Sequence, residues 1–175
     1  MAPDLTVYSR KSAKLTLMPL SGTVLLAAGD DGRRTYGDYF RAQGLIVADA
    51  ETPEIAFAHL DTIDPHVVVT DVVFPGGGFR PAEWIHALRA RLDAATSIIV
   101  FSGFGRQEDR EDARAAGADL YMLKPALPSA VLYEVRRALI LQRSGRRLAW
   151  NWPAASRVPV RVEIERRHGI RRVRP

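Results

Sequence analysis

The 175-residue chain contains no cysteine, which excludes disulfides, thiolate metal sites and cysteine nucleophiles. Its four histidines, His59, His66, His86 and His168, follow no metal-ligand spacing and read as structural or exposed. No apolar run approaches the roughly 20 residues that cross a bilayer, so no membrane contact is expected. The opening "MAPDLTVYSRKSAKLTLMPLSG" also lacks the continuous apolar segment of a signal peptide, and a cytoplasmic protein is the expectation. "PGGG" at 75–78 is not followed by the Lys-Ser/Thr of a phosphate loop and reads as a flexible turn. There is no helix-turn-helix, zinc-finger or RNA-binding motif, and no cofactor fingerprint.

What is present is an ordinary hydrophobic fraction of 47%, enough for a packed core. Charge is unevenly spread. Residues 143–175 hold ten arginines against Glu163 and Glu165, a net of +8, whereas residues 1–142 carry 15 basic and 18 acidic residues. A slightly acidic body therefore precedes a strongly basic end. Residues 1–22, polar and aperiodic, read as a loose leader.

From Thr23 the texture changes to alternation. "TVLLAA", "LIVADA", "PHVVVTD", "TSIIVFSG" and "DLYMLKP" are short apolar runs bounded by turn residues. Between and after them lie five segments of helical character. The first spaces Tyr36, Tyr39 and Phe40 at i, i+3, i+4 and stops at Gly44. The second opens with Thr52 as N-cap and Pro53 at the first helical position, with Ile55, Phe57 (or Ala58) and Leu60 apolar. The third places Trp84, Ile85, Leu88 and Leu92 on one stripe. The fourth, "RQEDREDARAAGA", is highly charged and closed by Gly117, and the fifth is "LPSAVLYEVRRALILQR". Five such units predict an α/β fold with a parallel sheet covered on both faces. Function in such sheets sits at the carboxyl ends of the strands. That rule gives one address to Asp30 and Asp31, Asp71, Ser102 and Lys124, each of which ends an apolar run.

With "VVVTDVVFPGG", "IIVFSGF" and "AGADLYMLKPALP" in this order and spacing, residues 23–141 resemble the receiver domain of two-component response regulators. The resemblance implies a flavodoxin-like, doubly wound five-stranded parallel sheet of order 2-1-3-4-5 with flanking helices. It makes Asp71 the phosphoacceptor, modified by a sensor histidine kinase or phosphotransfer protein in a phosphorelay. Lys124 would supply a cation for the phosphoryl oxygens and Ser102 a hydrogen bond, with Tyr121 as the switch aromatic. The protein would then be a stand-alone signalling phosphoprotein with no enzymatic output, able to dimerise through its fourth helix, fifth strand and fifth helix.

Each of these residues also has an ordinary reading. Asp71 can be a turn residue, Ser102 a strand cap, Lys124 a surface lysine and Tyr121 a core aromatic. Asp30 and Asp31 can cap the first helix.

The family also implies Mg²⁺, held by the phosphoacceptor and two acidic residues ending the first strand. Counting back from Gly44 places Ala27 and Ala28 there, and neither can coordinate a metal. Asp30 and Asp31 come about three residues late. Either the acidic pair is shifted, with Asp71, Asp30 and Asp31 as ligands, or the metal site is degenerate, which the two alanines favour. The second case implies a pseudo-receiver acting as a phosphorylation-independent interaction module.

In the basic end, "RVPVRVEIERRHGIRRVRP" alternates apolar and charged residues like an amphipathic hairpin, or a strand awaiting a partner. It reads either as a solvated tail or as a foothold on nucleic acid or an acidic partner. Trp150 and Trp152 just before it point to docking on the body or on a partner.

Overall fold

A computed structural model describes residues 21–29 and 32–150. These residues form a regular βα alternation: β1 (Thr23–Ala27), α1 (Gly32–Ala42), β2 (Ile46–Ala50), α2 (Pro53–Leu60), β3 (Val67–Thr70), α3 (Pro81–Arg89), β4 (Ser97–Ser102), α4 (Gln107–Ala115), β5 (Leu120–Leu123) and α5 (Pro128–Gln142). All strand pairs are parallel, in the order β2-β1-β3-β4-β5. The expected doubly wound sheet is therefore present.

Strand parity divides the core into two layers. Val24, Leu26, Val67, Val69, Ile99, Phe101 and Leu120 face α1 and α5, joined by Phe40, Val135 and Leu139. Leu25, Ala27, Val68, Ile98, Val100 and Tyr121 face the other way, onto a layer that includes Ala56, Trp84, Ile85 and Leu88. Central strands β3 and β4 are buried throughout, as unbroken apolar runs require. At the edge of the sheet, β2 departs from that pattern, and Ile46 is 66% exposed.

Local signals behave as their chemistry dictates. Thr52 Oγ1 accepts from the Ile55 N–H at 3.3 Å and caps α2, with Pro53 following. Gly44 and Gly117 take φ of +86° and +108° just beyond α1 and α4, the left-handed turn that ends a helix. Two details differ from expectation. In α2 the buried residue between Pro53 and Leu60 is Ala56, while Ile55 faces outward, because the short helix meets the sheet along a narrow line. In α3 the helix ends at Arg89, and Leu92 packs only partly against the core.

Trp84 is the largest fully buried side chain among the described residues. Its ring is enclosed by Phe57, Phe74 and Phe79 at centroid distances of 5.3, 5.3 and 5.8 Å. Its Nε1–H donates to Thr70 Oγ1 at 2.9 Å, at the end of β3. Replacing Trp84 by Ala should therefore cost about 3–5 kcal/mol of unfolding free energy. Urea denaturation checks this, as a fall in midpoint with the slope preserved.

Candidate functional site

The register of the sheet decides which side chains meet. β3 lies between β1 and β4, and the Asp71 N–H donates to the Ala27 carbonyl at 2.8 Å, carrying the pairing one residue past the strand. Asp71 thus emerges where backbone pairing stops. Its Oδ1 accepts from the Val72 N–H at 2.6 Å, which fixes the carboxylate at the sheet edge. Across β4, the Lys124 N–H donates to the Ser102 carbonyl at 2.8 Å, again one residue past the strand. From there the Lys124 ammonium reaches Asp71 Oδ2 at 2.7 Å. The pair spans 53 residues of sequence, and both side chains are largely buried, 20% and 12% exposed. Beneath it, the Lys124 Nζ stands 5.4 Å from the centre of the Phe101 ring, so the cation also meets a π face.

Ser102 and Tyr121 form a second cluster. Both are fully buried, and both fall on the sheet face turned away from α1 and α5. The Tyr121 hydroxyl donates to the Phe104 carbonyl at 2.7 Å, in the loop entering α4. Ser102 Oγ accepts from the Phe104 N–H at 3.4 Å. Burial pushes the Tyr121 phenol up, opposed by a hydrogen bond with Ser102; the charges of Asp109 and Asp71 add to the rise. Of the residues expected to converge, Asp71 and Lys124 touch directly. Ser102 and Tyr121 meet each other and the β4–α4 loop. Asp30 and Asp31 lie outside the described residues.

The loop after β3 closes one side of the crevice. Gly76, Gly77 and Gly78 take φ of +87°, +76° and +112° in succession, a path that side chains rarely follow. It also touches the loop after β1, since a Cβ on Gly29 would stand 2.0 Å from Pro75 Cδ. On the other side, Arg33 in the first turn of α1 donates through Nε to the Ala28 carbonyl at 3.0 Å and pairs with Glu51 at 3.3 Å. Arg33 and Lys124 line one pocket of about 170 Å³ with Ala28, Tyr36, Phe101 and Pro125. Sequence reasoning missed Arg33. The signal was available, in a basic residue five positions after an alanine where an acidic one was expected.

Whether these residues suit a divalent cation can be judged from the donors. β1 ends at Ala27, followed by Ala28, and both methyl groups are buried. Both Asp71 oxygens already have partners. No cluster of three metal-ligating side chains exists among the described residues. Among the described residues, these donors fall short of the several hard oxygens in octahedral array that Mg²⁺ demands; Asp30 and Asp31 lie outside them.

The family model for the response regulator receiver domain matches residues 30–136. The chain belongs to that family. Receiver domains of two-component signalling are also what its fold resembles among solved structures. A CheY-like receiver from Methanospirillum hungatei superposes with a TM-score of 0.62 at 21% identity, covering 71% of this chain and 98% of that one. The chemotaxis regulator CheY4 of Vibrio cholerae gives 0.59 at 21% identity, covering 67% and 98%. By sequence, this receiver is 29% identical over 135 residues to a gliding motility regulatory protein of Myxococcus xanthus, covering 74% of this chain and 17% of that protein. The transcriptional regulatory protein YesN of Bacillus subtilis is 32% identical over 80 residues, covering 46% and 21%. The chain thus spans about a fifth of the length of these curated relatives. Among the described residues of this receiver, no helix is long and apolar enough to cross a membrane.

Tyr121 offers a test of the buried cluster. A phenol raised by burial is neutral in the fold, so its contribution to stability is intact below the ordinary value of 10.0 and is lost as pH rises through the higher folded-state value. Above pH 10.0, wild-type stability should fall relative to Tyr121→Phe, and one phenol should titrate late in the ultraviolet difference spectrum of the wild type alone.

Proposed function

We propose that this receiver accepts a phosphoryl group on Asp71 from the phosphohistidine of a sensor kinase or phosphotransfer protein. The observation that carries this reading is the Asp71–Lys124 contact of 2.7 Å at the carboxyl edge of the sheet. A carboxylate oxygen of Asp71 attacks phosphorus and forms an acyl phosphate. The P–N bond to the donor imidazole breaks, and the leaving imidazole takes its electron pair and a proton. Transfer of this kind relies on positioning and charge neutralisation rather than on covalent help from the protein. Lys124 holds the carboxylate before transfer and follows the new negative charge onto the phosphoryl oxygens afterwards. Ser102 serves as a hydroxyl donor beside the phosphoryl group, and any shift of its Oγ acts on Tyr121, with which it interacts. The exposed Leu127, Tyr133 and Ile140 on and before α5 support a self-association surface that includes α4 and β5. The output of the protein is then a changed surface read by protein partners, with no substrate turnover. Incubation with a small phosphodonor and intact-mass measurement should give a single phosphoryl adduct, absent in Asp71→Asn. No adduct, or one that persists in that variant, would refute the reading.

Ala27 and Ala28 favour a second reading, in which the site works weakly or not at all with Mg²⁺ and the domain is a phosphorylation-independent binding module. Asp30 and Asp31, the other metal candidates, lie outside the described residues, as does the 151–175 part of the basic extension proposed to meet nucleic acid or an acidic partner. Under this reading, titration with Mg²⁺ leaves intrinsic fluorescence unchanged. Tight binding that disappears in Asp71→Asn would exclude it.

A further inference from the structure

Beyond α5, residues 143–150 stay on the domain. The left-handed Gly145, with φ of +68°, turns the chain back. The Arg146 N–H then bonds the Leu141 carbonyl at 3.1 Å. Residues 146–150 next run past the amino-terminal edge of β4 and β5. Leu148 is 3% exposed within the α1–α5 layer of the core, and its N–H donates to the buried Ser97 Oγ at 2.9 Å. Arg147 pairs through Nε with Asp119 Oδ1 at 3.1 Å. The other oxygen of Asp119, itself buried, accepts from Arg89 at 2.7 Å and from the Ile98 N–H at 2.8 Å. Trp150 then packs on the opposite core layer, with the Arg114 guanidinium of α4 6.0 Å from its ring centre. Five residues therefore cross from one face of the sheet to the other.

Helix α4 buries little of its own surface. Its only buried residue is Ala113, whereas α3 buries three residues and α5 five. A short helix draws its stability from the apolar face it packs, so an indole beside α4 adds to a small buried face. The amino end of α4 is tied to the switch loop, since Arg110 donates to the Gly105 carbonyl at 2.5 Å, one residue beyond the Phe104 carbonyl that Tyr121 holds. Trp150 thus grips the helix whose entry loop meets Ser102 and Tyr121. It immediately precedes 25 residues that contain seven arginines.

We propose that residues 146–150 are a built-in clamp on α4, and that it mechanically joins the Ser102–Tyr121 loop to the basic end of the chain. A change in the loop alters α4 and, through Trp150, the residue that immediately precedes the Arg-rich segment. By linkage, a polyanion that engages the segment and disfavours the clamp loosens α4 by the same free energy. The clamp itself stands whether or not Asp71 is phosphorylated; only the origin of the signal rests on the function proposed above.

Hydrogen exchange on the full chain, with no phosphodonor present, tests it. In Trp150→Ala, amides of α4 should exchange about tenfold faster, the effect expected when a half-buried aromatic contact is lost. Amides of α2, on the far part of the sheet, should keep wild-type rates, and Trp150→Phe should restore most of the protection in α4. Unchanged exchange in α4, or an equal increase in α2 and α4, would overturn the clamp. Because phosphodonor is absent, failure here is distinct from failure to label Asp71.

Discussion

The ion pair between Asp71 and Lys124 joins the end of β3 to the end of β5 across the intervening β4. A carboxylate and an ammonium removed this far from water each carry a desolvation cost that only good geometry offsets. Here the sheet supplies the geometry, because each residue is fixed by a backbone hydrogen bond one position past its strand. The register of β3, β4 and β5 therefore determines whether the charges meet. Parallel order, two-layer core and glycine-terminated helices all serve to hold that register. Under the function proposed above, such a site would give an incoming phosphoryl group both a nucleophile and a counter-charge already in place.

Around the pair, polar chemistry is divided between the two sheet faces. Phe101 lies under the Lys124 ammonium, on the side of α1 and α5. Ser102, the next residue, points the opposite way and meets Tyr121 below the loop into α4. Strand alternation alone places charge capture on one side of β4 and the hydroxyl pair on the other. The buried pair of Arg89 and Asp119 works at the opposite edge of the sheet. There burial lowers the guanidinium and raises the carboxyl, each against the pull of its partner, and Arg147 completes the cluster.

Much of this was legible in the sequence for specific reasons. β3 and β4 read as unbroken apolar runs because they are covered on both faces, and Gly44 and Gly117 marked helix ends through the one conformation glycine adopts cheaply. Asp71 and Lys124 were found because polar residues that end buried strands share one edge. The outward face of Ile55 and the exposure of Ile46 were not legible, since composition does not reveal which strand lies at the edge. Arg33 was signalled only by its place five residues after Ala28, since its contact with the Ala28 carbonyl leaves no mark in the sequence. The grip of residues 146–150 depends on Ser97 and Asp119, distant in the chain, though Trp150 itself signalled contact with something.

The central claim is that Asp71 and Lys124 form one site that reports its occupancy to Ser102 and Tyr121. The most direct measurement is a backbone-amide NMR titration with beryllofluoride, which mimics a phosphoryl group on a carboxylate. The account predicts saturable shifts at residues 71–72, 102–105 and 121–124 in the wild type and none in Asp71→Asn. An unchanged spectrum, or the same shifts in Asp71→Asn, would contradict it.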